Sequence, residues 1–228
     1  MKKRNILLIS LIVPAMILST TSYGCAISGI GIPQENEKLN SGTNQANNFL
    51  NQTEKEGLIY IAEEEKLSRD LNGFFYGKWG LEIFAKTKKA AQTNVNSVLS
   101  IIAKYGLENP IENDKIGNFM NPRLQDLYGK LLQDGSDSVG DALKADAFIE
   151  ELDIADLEMY LHFTTNPDVE RAYANLMDGA KEHLREFVLE LNKYNISYMP
   201  QVLPEDEFNS IISENGTVNK LIEKSNKN

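Results

Sequence analysis

The chain has 228 residues, of which 42% are apolar and 25% charged, a balance that supports a folded core rather than a disordered polymer. Lys and Arg number 23 against 33 Asp and Glu, a net charge of −10, which argues against a nucleic-acid binder working through a basic stripe. A single cysteine excludes a disulfide scaffold, a zinc ribbon and an iron–sulfur site. Neither a glycine-rich phosphate loop nor a Gly-x-Ser-x-Gly elbow is present.

The N-terminus reads as an address. Lys2, Lys3 and Arg4 precede a run of 13 almost wholly apolar residues, Ile6 to Leu18, and small polar residues lead to Gly24-Cys25. That order is the order of a secretory signal peptide over residues 1–24, and the run is short for a spanning helix. Ser22-Tyr23-Gly24-Cys25 resembles a lipobox with Ser22 in place of a Leu-like residue, so Cys25 is the expected lipidation site. Cleavage nearby, or an uncleaved anchor, is the alternative. Removing residues 1–24 takes away three positive charges and no acids, leaving −13. Residues 25–52 are rich in Gly, Ser, Asn and Gln and read as a flexible spacer. The expected location is therefore outside the cytoplasm, at the outer face of the cytoplasmic membrane or in the cell envelope. The partners expected are the membrane, through the lipid, and no nucleic acid; a protein partner stays unnamed, and a homo-oligomer is compatible with the chain. Three tripeptides fit the glycosylation sequon, at Asn51, Asn195 and Asn215, a pattern that chance produces often.

From Thr53 onward the pattern has helical period, without alternating strand runs. The first helix is expected over Glu54 to Tyr76, with Thr53 as N-cap and Gly77-Lys78-Trp79-Gly80 as a turn. The second runs over Glu82 to Tyr105 and stops at Gly106. A longer connection carries a short helix opened by Asn121-Pro122 and ending near Gln133. The third long helix spans Val139 to Phe163, and Asn166-Pro167 opens the fourth, to about Lys193. Two pairs of long helices, each joined by a short turn, with a long connection between the pairs, make an all-α four-helix bundle over 53–193. A crossover connection with its own short helix is the layout of ferritin-like folds. Residues 194–228 follow as a C-terminal extension.

The core stripes place chemistry at one level. The first helix gives Tyr60, Glu64, Leu67, Leu71 and Phe74, with Glu63 and Glu65 to its sides. The second gives Phe84, Thr87, Ala91, Asn94, Val98, Ile101 and Tyr105. The third gives Leu143, Ala147, Glu150, Ile154, Leu157 and Leu161, and the fourth Val169, Tyr173, Leu176, Ala180, His183 and Phe187. Counted from the two turns, Glu64, Asn94, Glu150 and Ala180 fall at one depth, about 22 Å in at 1.5 Å per residue, and His183 one turn deeper. Buried charges must be paired, protonated or bound to a cation. Di-metal bundles take a Glu from each of two helices and Glu-x-x-His from each of the other two. Half of that set is present: Glu64, Glu150 and His183 are the expected metal ligands, with Glu65, Glu151 and Asp153 as substitutes. The ion such a set would take is one divalent cation, Fe, Mn or Zn. The competing account is structural. Glu64 then pairs with a nearby Lys or Arg, His183 is a satisfied core histidine, and Glu150 is protonated or bonded to Tyr.

The segments Glu63-Glu-Glu-Lys-Leu-Ser-Arg-Asp70 and Lys78-Trp-Gly80 resemble those of the ferritin-like family called domain of unknown function 2202. So do Tyr105-Gly-Leu107, Asp141-Ala-Leu143, Ile149-Glu-Glu-Leu-Asp-Ile154 with Asp156-Leu157, and His183-Leu-Arg-Glu-Phe187. The tail from Tyr198 to Phe208 is similar to an extension of exported members, and the resemblance covers about residues 56 to 213. It implies the ferritin-like bundle and only weakly an activity. On the second helix, where the family pattern resembles Ser-Glu-Gln-x-His, this chain reads Ala90-Ala-Gln-Thr-Asn94. Asn72 stands where the family has Tyr. Two functional readings follow: a non-catalytic exported binding or envelope module with a degraded di-metal site, or a metal-binding oxidoreductase or iron-handling protein with a reduced ligand set.

Overall fold

The structure, a computed structural model, describes residues 49–214. The expected leader, Cys25 and most of the spacer lie outside the described residues, as do residues 215–228. The described chain is all-helical: α1 Gln52–Trp79, α2 Glu82–Lys104, α3 Pro122–Asp134, α4 Val139–Phe163, α5 Pro167–Lys193 and α6 Glu205–Ser213. None of these helices is long and apolar enough to cross a membrane. α1 packs along α2 and α4 along α5; α1 also meets α4, and α2 meets α5, closing a four-helix bundle with α3 in the connection between the pairs.

Side-chain caps set most of the boundaries. Asn51, not Thr53, caps α1 through a capping box: its side chain accepts from the Glu54 N–H, and the Glu54 carboxylate accepts from the Asn51 N–H. α1 continues to Trp79, so the turn shrinks to Gly80 and Leu81. Gly80 makes it at φ 68°, a left-handed conformation that glycine adopts without Cβ strain. Asn121 and Asn166 each cap a helix with proline in its first turn, α3 and α5, and Ser138 caps α4.

Glu54 also closes the end of the bundle where residue 49 joins. Its buried carboxylate accepts from the N–H groups of Thr165 (2.7 Å) and Asn166 (2.8 Å), tying α1 to the α4–α5 turn. At the other end Phe75, Phe84 and Phe187 stack in sequence. Phe75 is fully buried and Phe74 is 38% exposed, so the stripe expected through Phe74 passes one residue later.

The C-terminal extension holds to α4 through one carboxylate. Glu151, fully buried, accepts from the Tyr198 hydroxyl and from the backbone N–H groups of Gln201 (3.0 Å), Val202 (2.9 Å) and Leu203 (2.9 Å). α6 then packs Phe208, Ile211 and Ile212 onto the main core. Glu151→Ala should leave three N–H groups without an acceptor and cost about 3 kcal/mol. Limited proteolysis should then cut within residues 198–214 well before the bundle; equal resistance of variant and parent would refute this anchoring role.

Candidate functional site

α1 is buried on nearly all sides from Ile61 to Asn72, because α2, α4, α3 and the 107–120 connection surround it. The dense charge of Glu63 to Asp70 is divided among these neighbours. Glu63 accepts from the Met120 and Asn121 N–H groups, at the start of α3. Lys66 pairs with Asp70 (2.7 Å), donates to the Lys115 carbonyl (2.9 Å) and lies 4.3 Å over the Phe119 ring. Arg69 bridges Asp70 and Asp114. These residues hold the connection. Glu64, Glu65 and Ser68 remain for the interior.

The interior is acidic and splits the apolar core in two. Toward the Phe75 end lies one buried cluster with Leu67, Leu71, Phe84, Leu143 and Phe187. Toward the Glu54 end lies a second with Leu58, Ile61, Val98, Leu157 and Tyr173. Between them Glu65, Ser68, Ala91, Asn94, Glu150, Asp153, Leu176, Ala180 and His183 line a narrow pocket. All four long helices contribute. Asn94 donates its amide to both oxygens of Glu65 (3.1 Å each), and His183 Nδ1 lies 3.4 Å from Glu150 Oε2.

Beside the pocket, on the α1–α4 seam, Glu64 takes a long hydrogen bond from Tyr60 (3.5 Å) and meets the half-buried carboxyl of Asp156. One turn before Glu150 on α4, Asp146 accepts from Asn72 (2.9 Å). One oxygen each of Glu64, Asp146, Asn72 and Thr87 is buried without a hydrogen-bond partner among the described residues. The centre thus holds Glu64, Glu65, Asp146, Glu150 and Asp153, all buried, with His183 as the one basic group lining the pocket among the described residues.

Such crowding must appear in the proton affinities. Burial, then the charge of Glu150, push Glu65 up to about 8, against the pull of Asn94 and His183. Burial and the neighbouring Asp156 and Glu65 hold Glu64 well above the usual carboxylate range. Asp153 rises through burial and the charges of Glu64, Glu65, Glu150 and Asp156, and Asp146 through burial and Glu150. Burial opposes the His183 imidazolium, but Glu150 and Glu65 outweigh it, so its pKa is raised.

Of the expected ligands, the structure brings Glu150 and His183 together at the pocket and adds Glu65 and Asp153, named as substitutes. It turns Glu64 to the adjoining seam. Glu151 lies elsewhere, committed to the C-terminal extension. Ala91 and Asn94 do line the pocket, where α2 supplies no acid and no imidazole. The ion pairs considered for Glu64 with lysine or arginine do not form among the described residues, since its neighbours are Tyr60 and Asp156. Asp146, Asp156 and Asn72 were not anticipated as part of this centre. For Asp146 a signal is present in the sequence: 146, 150 and 153 are spaced four and three apart, one side of α4. Among the described residues no three carboxylate or imidazole groups close on one point in a metal-binding arrangement. The donor set suits a cation by its charge and hardness, and side-chain movement is needed to assemble it.

An all-helical bundle with a buried acidic centre is the class defined by these features. The chain belongs to the family described as Uncharacterized protein domain (DUF2202), which its residues 54–215 match. It is similar to Uncharacterized protein MJ0754 of Methanocaldococcus jannaschii, 45% identical over 164 residues that cover 72% of this chain and 89% of that protein. The crystal structure of hypothetical protein MJ0754 superposes with a TM-score of 0.71 at 41% identity, covering 81% of this chain and 98% of that one.

Proposed function

We propose that this chain is an exported, membrane-tethered, non-catalytic member of its family, a ferritin-like bundle serving as a binding or envelope module. In this reading its centre is the remnant of a di-metal site and takes at most one divalent ion, Fe, Mn or Zn, weakly. Glu65, Glu150, Asp153 and His183 would hold it, as three hard oxygen donors and one imidazole. The observation that carries the reading is the α2 face. Ala91 offers no donor atom, and Asn94 spends its amide on Glu65, so a neutral hydrogen bond stands where a second ion would need ligands. Oxygen chemistry at two metals needs both ions held close together. Export and lipidation at Cys25 are supported by the basic start, the 13-residue apolar run and the small residues before the cysteine.

The alternative, a metal-dependent oxidoreductase or iron-handling protein, draws support from the surplus of buried carboxylates, which a cation would neutralise. Elemental analysis of full-length protein, purified without chelator or metal-affinity tag, separates the two. One equivalent or less of divalent metal, lost on dialysis, is expected. Two tightly held irons or manganese ions per chain would overturn the non-catalytic reading.

A further inference from the structure

The three sequons are not equivalent in the fold. Asn51 caps α1: its Oδ1 accepts from the Glu54 N–H (2.9 Å) and its Nδ2 donates to the Phe163 carbonyl (3.2 Å). Gln52 and Thr53 are already helical, so this tripeptide cannot open without uncapping α1. Asn215 lies outside the described residues. Asn195-Ile-Ser197 is different. It follows the last turn of α5, with Asn195 at φ 57° and both Asn195 and Ser197 exposed. The middle residue anchors the turn: the Ile196 N–H donates to the Leu191 carbonyl (3.1 Å), and its side chain packs into the space left by the absent Cβ of Gly140. The backbone of Asn195 is held through its N–H on Asn192 (3.0 Å), and its side chain makes no hydrogen bond among the described residues. From Ile196 to Pro200 the chain has no regular structure, so the acceptor and the hydroxyl two residues on are presented without helix to unwind.

We propose that Asn195 is an N-glycan acceptor. In the transfer, Asn195 Nδ2 bonds to C1 of an oligosaccharide activated on a lipid phosphate. The C1–O bond to phosphate breaks, Nδ2 gives up a proton, and the lipid phosphate leaves. This proposal rests on the export reading above, since transfer requires passage out of the cytoplasm. Position supports it. α5 spans 27 residues, about 40 Å, from Asn166 beside Glu54 to Asn195, so the sugar would sit at the end of the bundle farthest from residue 49. A polar, bulky group there would cover the exposed turn leading into the C-terminal extension.

The test is peptide mass spectrometry on the full-length protein recovered from its own cells, with the N-terminus sequenced in the same sample. The Asn195 peptide should carry a saccharide mass. Ser197→Ala, which keeps the left-handed Asn195 intact, should abolish it, Ser197→Thr should retain it, and Asn51→Gln should leave it unchanged. A processed chain with bare Asn195 would overturn the glycan and leave export standing. A chain with its leader intact and Asn195 bare would overturn the glycan and remove the support that processing gives to export. Saccharide on Asn51 or Asn215 alone would also overturn the assignment.

Discussion

Ala91→Glu combined with Asn94→His should turn this chain into a two-metal protein. Both positions line the central pocket, three residues apart on α2, and face Glu65, Glu150, Asp153 and His183. The double variant adds a carboxylate and an imidazole where the parent has a methyl group and an amide. It also frees the Glu65 carboxylate from the Asn94 amide. Two equivalents of Fe(II) or Mn(II) should then bind, where the parent takes one or fewer. At a free ion concentration 100 times the dissociation constant, binding stabilises the fold by about 2.7 kcal/mol. For a domain of this size that is a rise in Tm of about 5–10 °C. The metal-free double variant should melt below the parent, because Glu at 91 adds another acid to a buried group of five. Metal should therefore rescue the variant more than it stabilises the parent. A double variant that folds, by circular dichroism, yet binds no more metal than the parent would show that α2 was never part of a metal site.

The helices of this fold were legible because their ends carry specific chemistry. Asn121-Pro122, Ser138 and Asn166-Pro167 each supply an acceptor for orphan N–H groups, and α4 and α5 begin at the residues those caps dictate. α6 was not legible. It has no side-chain cap, and packing of Phe208, Ile211 and Ile212 holds its nine residues in place. The depth of the site could be counted from the turns, which is why Ala91, Asn94, Glu150 and His183 do share one pocket. The choice between Glu64 and Glu65 could not be counted. A helix covered on one side shows an apolar stripe, and the stripe names the inward residue. α1 is covered on every side between Ile61 and Asn72, so burial there carries no direction and consecutive glutamates face three different neighbours. The partner of Glu151 was equally hidden, because three of its four donors are backbone N–H groups of an irregular segment.

Without metal, the stability of the chain should fall as pH rises from 5 to 8. The sign follows from the interior. Glu64, Glu65, Asp146 and Asp153 all have pKa values raised by folding, so in this window the native state holds protons that the unfolded state has released. A group with a raised folded pKa contributes stability that is full below its unfolded value, 4.5 for Glu65, and lost as pH climbs toward its folded value, about 8. His183, raised from 6.5, acts in the same direction. Glu54 acts in the opposite one: its backbone hydrogen bonds overcome the desolvation that would raise it, so its contribution fades only as pH falls below about 4.5. Each retained proton gives a slope of about 1.4 kcal/mol per pH unit. Two such protons over three pH units would consume much of the 5–15 kcal/mol that holds a typical domain together. A divalent cation bound there would remove this cost, because it would take the place of the protons on the ionised ligands. Thermal melts in chelator should therefore show Tm dropping between pH 5 and 8. Glu65→Gln should flatten the decline by about one proton, and the stabilisation from added Mn(II) or Zn(II) should grow with pH. A metal-free Tm that rises across the same window would mean that these carboxylates are ionised in the fold and that their charge is balanced by some other means.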